Sequence, residues 1–165
     1  MTVACVSRKA KPGTRRKLVL DEFAPYRIVA LGHAVSGRLA RAYRDENITI
    51  PEWRVLAVIG EADRVAARDV VRRTPMDKMT VSRAVTSLEQ KSFVSRAPDE
   101  SDRRVSMLSL SPEGRKVFDR VSALALAYED DLLSTLEPDE AAAFRLALEK
   151  LEARANLDDK SGGAE

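Results

Sequence analysis

Donor-rich side chains at helical spacing are the chemical feature of this sequence that says most about its function. Lys78, Thr80, Ser82, Arg83 and Thr86 fall within nine residues that contain no acid. Ammonium, guanidinium and hydroxyl groups donate hydrogen bonds, and DNA offers acceptors on its phosphates and on base edges in the major groove. The pattern predicts a helix face that enters the groove, with Arg83 able to contact guanine in bidentate fashion. An exposed salt bridge is the alternative interpretation of Arg83.

A second basic group follows this segment. Residues 93–110 contain two short β-prone runs around a tip with one proline and two aspartates, and the tip ends in Asp102, Arg103 and Arg104. Such runs around a turn-rich segment predict a hairpin. A donor-faced helix followed by a basic hairpin is typical of a winged helix-turn-helix, so the sequence predicts a DNA-binding regulator.

Other helices must hold these groups in place. The apolar residues Val81, Ala84, Val85 and Leu88 recur at helical spacing and predict the buried face of the donor-rich helix. A helix over 66–74 precedes it and ends before Pro75, because a residue before proline avoids helical geometry. Further upstream, Thr49 and Glu52 match a capping box that opens a short helix.

Longer amphipathic helices flank this region. One is predicted from Pro25 to Tyr43, one from Ser111 to about 136, and one from Pro138 to about 155. Their apolar stripes pack either inside one small domain or against a second copy of the chain, and we favour dimerisation.

The expected fold is mainly α with a small β-wing (α+β). The expected boundaries are a basic disordered arm at 1–20, an N-terminal dimerisation helix at 21–48, a winged helix-turn-helix lobe at 49–110, C-terminal dimerisation helices at 111–155 and a disordered tail at 156–165.

The distribution of charge along the sequence favours a nucleic-acid partner. The segment 64–120 carries thirteen Lys and Arg against eight Asp and Glu, whereas 121–165 carries four against eleven. This segregation of charge suits a chain in which one part faces the phosphates of DNA.

No apolar run approaches the roughly 20 residues of a membrane span, so we expect a cytoplasmic protein. A lone cysteine, Cys5, and a lone histidine, His33, provide no paired metal ligands and no nucleophile-base set, so neither an enzyme nor a cofactor is expected.

The sequence resembles the MarR family of bacterial and archaeal regulators over about residues 21–155. The resemblance rests on the segment 77–83 and on a wing pattern, D-x-R followed by five residues and L-T, which here reads Asp102-Arg103-Arg104, Val105 to Ser109 and Leu110-Ser111. The family usually has glycine just after the recognition helix, where this chain has Ser92. A non-glycine residue in a left-handed cap costs roughly 1 kcal/mol, so we expect a differently shaped turn there.

The resemblance implies a homodimer whose two winged lobes straddle a pseudo-palindromic operator. It also implies repression that is relieved by a small, often phenolic or otherwise aromatic, ligand. By the family match, Arg104 would reach the minor groove from the wing tip, oriented by a charge-assisted hydrogen bond from Asp102, and Arg103 would contact the DNA backbone.

Candidate ligand residues come from the first two helices. Aromatic and cationic side chains there suit an aromatic acid, and they are Tyr26, His33, Arg41, Tyr43 and Trp53. For Trp53 we favour a place in the core instead, and an ordinary interface residue is the alternative interpretation of His33. Two functional alternatives stay open: a redox-responsive regulator that uses Cys5, and a winged-helix module that binds another protein.

Overall fold

The computed structural model describes residues 17–161, with side chains up to residue 155. Cys5 and residues 1–16 of the basic arm lie outside the described residues, as do residues 162–165. The chain divides into two units, Met1–Ser36 and Gly37–Glu165. The fold is α+β, with six α-helices and a small antiparallel sheet in the described part, which confirms the predicted fold class.

Helix α1, Ala24–Ala42, begins in the first unit and ends in the second. It matches the helix predicted from Pro25 to Tyr43 to within one residue at each end. None of its residues is buried. Several large apolar side chains in its first half are exposed, namely Tyr26, Ile28, Val29 and Leu31. Solvent-exposed apolar side chains along one helix mark a surface that another element or a partner covers.

The second unit contains the helix-turn-helix: α2, Ile50–Gly60, then α3, Ala67–Arg73, and α4, Lys78–Gln90. The predicted capping box opens α2. Thr49 N–H donates to Glu52 Oε2 at 2.6 Å, and Glu52 N–H donates to Thr49 Oγ1 at 3.4 Å. Four residues, 74–77, connect α3 to α4. A turn this short fixes the direction in which α4 leaves α3.

The sheet has three strands rather than the two predicted. They are β1, Val65–Ala66, β2, Val94–Pro98, and β3, Ser106–Leu110, paired antiparallel in the order β1-β3-β2. Strand β1 adds only two residues, with Val65 opposite Leu108. Two residues are too few to show the apolar and polar alternation by which a strand is recognised in sequence.

The core lies between α2, α4 and the sheet. Val81, Ala84, Val85 and Leu88 are all buried, which confirms the predicted inner face of α4. Leu56 and Ile59 of α2 and Leu108 of β3 are fully buried and belong to the same cluster. Full burial of aliphatic side chains contributes about 1.5 to 3 kcal/mol each. The inner face therefore fixes which side of α4 is turned outward.

The turn after α4 is left-handed, so the expectation of a differently shaped turn at Ser92 was wrong. Ser92 has φ +60°. Its N–H donates to the Glu89 carbonyl, and Phe93 N–H donates to the Leu88 carbonyl, both at 2.9 Å. These two bonds form a Schellman motif. The Ser111 hydroxyl also donates to the Ser92 carbonyl at 2.6 Å, and this tertiary bond helps a serine to occupy a position that favours glycine.

Two helices complete the second unit: α5, Pro112–Leu133, and α6, Pro138–Ser161. The predicted N-cap of α5 is present, because Ser111 Oγ accepts from Gly114 N–H at 2.9 Å. Helix α6 runs to Ser161, six residues beyond its predicted end at about 155. Glu46, just before the lobe, accepts two hydrogen bonds from Arg120 of α5 at 2.7 and 2.6 Å. This bidentate pair ties α5 to the start of the lobe.

A buried ion pair joins the start of α2 to the end of α4. Glu52 is only 3% exposed, and Lys91 Nζ donates to its Oε1 at 2.7 Å and to the Asn47 carbonyl at 2.7 Å. Burial by itself would raise the pKa of Glu52, but hydrogen bonds from Lys91, Ser87 and Thr49 together bring it below the usual 4.5. The carboxylate is therefore charged at neutral pH and depends on these donors.

We expect Lys91→Met to lower the free energy of unfolding by about 2 to 3 kcal/mol at pH 7, since it leaves a buried carboxylate without its cation. A lowered carboxyl pKa contributes stability above about pH 4.5 that is lost as the pH falls through the folded-state pKa. The gap between variant and wild type should therefore narrow in acid. Urea unfolding at pH 7 and pH 4 measures it; a gap equal at both pH values would mean that the charge of Glu52 is irrelevant.

Candidate DNA-binding site

Helix α4 begins at a well-defined cap. Asp77 Oδ1 accepts from Thr80 N–H at 2.8 Å, and Asp77 Oδ2 accepts from the Thr80 hydroxyl at 2.9 Å. These bonds, the backbone one foremost, hold the pKa of Asp77 below its usual range. The cap fixes the first turn of α4, which carries Lys78. It also engages the Thr80 hydroxyl inside the helix, so Thr80 has no free proton for a phosphate in this conformation.

The outward face of α4 carries the other donors predicted from sequence. Ser82, Arg83 and Thr86 are all exposed. The Thr86 hydroxyl donates to the Ser82 carbonyl at 3.0 Å, which leaves its methyl group and its oxygen lone pairs outward. Arg83 is different, because none of the carboxylates in the described residues lies within ion-pair distance of it. Its guanidinium is therefore free to meet an outside acceptor, and the salt-bridge interpretation of Arg83 finds no support in this conformation.

A groove of about 400 Å³ runs along the α3 side of α4. Lys78 and Ser82 line it from α4, Arg68 lines it from α3, and Arg96 lines it from β2. Arg96 donates to both carboxylate oxygens of Glu89 at 2.9 and 3.2 Å, so its charge is largely compensated. Arg68 is exposed, and its ion pair with Asp69 is long at 3.9 Å. Arg68 has no signal in the sequence pattern, because only the fold brings it beside Lys78.

The wing tip is an ordered turn built on two aspartates. Asp99 Oδ1 accepts from the N–H groups of Ser101 at 2.9 Å and Asp102 at 3.2 Å. Asp102 Oδ1 in turn accepts from Arg104 N–H at 3.0 Å. Hydrogen bonds from Ser101, above all its hydroxyl, keep the pKa of Asp99 below its usual range. These side chain to backbone bonds shape the tip without using the arginine side chains.

Asp102 therefore acts on Arg104 differently from the sequence expectation. The Arg104 guanidinium is 3.9 Å from the Asp102 carboxylate, too far for the expected charge-assisted hydrogen bond, and its side chain is 96% exposed. The carboxylate orients the backbone of Arg104 and makes only a long ion pair with its guanidinium. Arg103 is also exposed and has no ion-pair partner among the described residues.

The candidate ligand residues are not brought together as one described site. Tyr43 is 2% exposed and belongs to the core, with its ring 6.0 Å from that of Trp53. Burial raises the pKa of Tyr43, although the charge of Arg54 opposes this. Trp53 in turn stacks at 6.1 Å on Phe118 of α5, as the core alternative predicted. Tyr26 and His33, in the first unit, are exposed, and so is Arg41 in the second.

The described part of the chain also limits other kinds of site. Among these residues there is no group of three or more His, Cys, Asp and Glu side chains placed to hold a metal ion. None of the described helices combines the length and the apolar character that crossing a membrane requires.

Comparison with known proteins points to one family. The sequence model of the MarR family matches residues 46–105, from just before α2 to the residue before β3. The chain is 27% identical over 106 residues to the HTH-type transcriptional regulator BilQ of Clostridium symbiosum, a match over 64% of this chain and 74% of BilQ. A crystal structure of a MarR family regulator from Silicibacter pomeroyi superposes with a TM-score of 0.72 at 26% identity, over 84% of this chain and 96% of that one.

Residues 46–105 match the MarR family, and the chain is similar in sequence and in fold to transcriptional regulators, one of them a MarR family protein of known structure. Its relatives are transcriptional regulators, and the DNA-binding winged helix-turn-helix of the MarR family is the lobe from α2 to β3. A further MarR-fold neighbour is CouR from Rhodococcus jostii RHA1, solved with p-coumaroyl-CoA bound. It is 22% identical, with a TM-score of 0.72 over 82% of this chain and 95% of CouR, and at that identity it shows the fold alone.

Proposed function

We propose that this MarR family regulator is a homodimeric repressor of a pseudo-palindromic operator, and that a small aromatic ligand releases it. One observation carries the DNA-reading part of the proposal: Arg83 is exposed on a helix face that contains no acid through Thr86, and it has no ion-pair partner among the described residues. A planar guanidinium in that position fits the O6 and N7 acceptors of guanine. Ser82 and Thr86 are also exposed on α4, and Lys78 lies in its first turn.

The wing supplies the second part of the interface. Arg104 and Arg103 stand exposed on a turn whose backbone is already ordered by Asp99 and Asp102. An ordered turn loses little conformational entropy on binding. We assign Arg104 to the minor groove, where a narrow groove attracts arginine, and Arg103 to the phosphates.

Selection from a random duplex library tests the DNA-reading part without knowledge of the target gene. The full chain should enrich a two-fold sequence with half-sites about 10 base pairs apart, one helical turn, because each recognition helix of a dimer enters one major groove. Enrichment of a single half-site without its two-fold partner would contradict binding as a dimer. No enrichment at all would contradict sequence-specific binding.

Uncovered apolar side chains support the dimer. Besides those of α1, several on α5 and α6 are exposed, namely Leu124, Leu126, Leu132, Phe144, Leu146 and Leu151. Contiguous apolar surface on soluble proteins marks interaction sites. We assign these helices to the dimer interface, so that residues 21–48 and 111–155 flank the lobe as dimerising parts.

Sedimentation at micromolar concentration should give twice the 18.2 kDa mass of one chain. Leu151→Glu places a charge on an exposed apolar position of α6, and it should shift the protein toward monomer. Asp139→Ala, at an exposed polar position in the first turn of the same helix, is the matched control and should remain dimeric. A wild-type monomer with full helicity would contradict the assignment.

The effector part rests on chemistry at the first two helices. Tyr26, His33 and Arg41 of α1 expose two aromatic rings and a cation. Trp53, on α2, packs against the edge of the core. We propose an anionic or phenolic aromatic compound, free or as a larger thioester. Such a ligand lowers operator affinity only by its differential affinity for the DNA-free state, typically about 1 to 3 kcal/mol.

Trp53 is the single tryptophan of the chain, so tryptophan fluorescence reports only on the surroundings of this side chain. A screen of aromatic acids and their thioesters should find a compound that changes this fluorescence and weakens operator binding by about 5- to 150-fold. Release by peroxide, lost in Cys5→Ser, with no aromatic compound active, would favour redox sensing instead.

A further inference from the structure

Met79 is the feature of the recognition helix that the proposed function leaves unused. Its side chain is 61% exposed in the first turn of α4. Between residues 37 and 123, all of which the structure describes, it is the only large apolar side chain in the exposed class. Scattered exposed apolar residues are common on proteins, but this one stands in the middle of the donor face.

The position of Met79 follows from helix geometry. Met79, Arg83 and Thr86 are spaced i, i+4 and i+7, so they form one stripe. Val81, Val85 and Leu88 have the same spacing two residues later and form the buried stripe on the other side of the helix. Met79 therefore shares the most outward line of α4 with Arg83. A helix that presents Arg83 to a base edge also presents Met79.

The major groove offers one apolar group, the C5-methyl of thymine. A methionine side chain is unbranched, flexible and polarisable, so it can adapt to a small methyl surface. Thr86, whose hydroxyl donates to the Ser82 carbonyl, adds a methyl to the same stripe. The outer line of α4 therefore combines one guanidinium with apolar groups.

We propose that Met79 is a specificity-determining residue that contacts the methyl group of a thymine in each operator half-site. One turn of helix separates Met79 from Arg83, about 5.4 Å, and base pairs are stacked 3.4 Å apart. The thymine therefore lies one or two base pairs from the guanine that Arg83 reads. The inference rests on the proposed function, because it requires α4 to lie in the major groove.

The test compares selected sites for four full-length proteins: wild type, Met79→Leu, Met79→Ala and Arg83→Ala. Wild type and Met79→Leu should both enrich a thymine one or two base pairs from the guanine. Met79→Ala should lose preference at the thymine and keep the guanine, and Arg83→Ala should do the reverse. Because Met79 is exposed, its variants should melt at the wild-type temperature, which separates a lost contact from misfolding.

Replacing that thymine by deoxyuridine then removes the methyl alone. Wild-type affinity should fall about fourfold per half-site, the equivalent of about 0.8 kcal/mol for one buried methyl group, while Met79→Ala should be unaffected. Equal loss in both proteins, or no thymine at the stated distance, would overturn the assignment and leave the proposed function intact. Failure of the wild type to select any sequence would overturn the proposed function itself.

Discussion

Arg83→Ala is expected to weaken operator binding by about 1 to 3 kcal/mol per half-site and to abolish preference at one base pair in each. The reason is the geometry around Arg83, which is exposed on α4 with no carboxylate of the described residues in ion-pair reach. A dimer makes the contact twice, so the total loss approaches twice that range. Lost base readout removes discrimination as well as affinity.

Titrations of duplexes substituted at each base pair measure both effects. Arg44→Ala is the matched control: it removes the same charge from an exposed arginine outside α4 and the wing. It should weaken all sequences slightly and equally. If Arg83→Ala did the same, Arg83 would contact phosphates rather than a base.

Gly114→Ala is expected to lower the free energy of unfolding by about 3 kcal/mol. A β-carbon at this position would lie 1.9 Å from the Phe93 carbonyl oxygen, a backbone atom that cannot swing aside. The same carbonyl accepts from Ser111 N–H at 3.0 Å. Overpacking of this kind typically costs about 1 to 3 kcal/mol, and contact with backbone puts this site at the upper end.

Gly32→Ala provides the control, since a β-carbon there meets no described atom of the same chain within 4 Å. Helix propensity alone favours alanine over glycine by about 1 kcal/mol, so Gly32→Ala should be neutral or stabilising. Chemical unfolding of both variants measures the contrast. Equal stability of the two would show that α5 can move away from Phe93 at little cost, and hence that the junction between α4 and α5 is loose.

Local chemistry explains which structural features the sequence could predict. The capping box at Thr49 and Glu52 and the N-cap at Ser111 depend on residues three apart in the chain. The inner face of α4 depends on a helical repeat of apolar residues. In each case the partners lie within a few residues of each other, so residue type and spacing specify the contact.

Residue type and spacing could not predict contacts between residues that lie far apart in the chain. Lys91 and Glu52 are 39 residues apart, and no pattern in the chain links them. The close approach of Gly114 to Phe93 likewise exists only once the start of α5 packs against the residue that precedes β2. The left-handed Ser92 is supported by Ser111, 19 residues away, so the local preference for glycine misled the expectation.

At the candidate site the sequence indicated the right surface, but several side chains act differently within it. The hydroxyls of Thr80 and Thr86 donate within the helix, and Asp102 orients the backbone rather than the guanidinium of Arg104. Short polar side chains form such local bonds readily. Their use depends on backbone geometry, which residue type alone does not specify.

The most direct test of DNA reading by α4 and the wing is a binding titration of the selected duplex and of a scrambled duplex over a range of salt concentrations. The selected site should be bound at least about 10³-fold more tightly. The logarithm of each affinity should fall linearly with the logarithm of salt concentration as phosphate contacts release counterions. Equal affinity for both duplexes at every salt concentration, or no binding of either at low salt, would contradict the account.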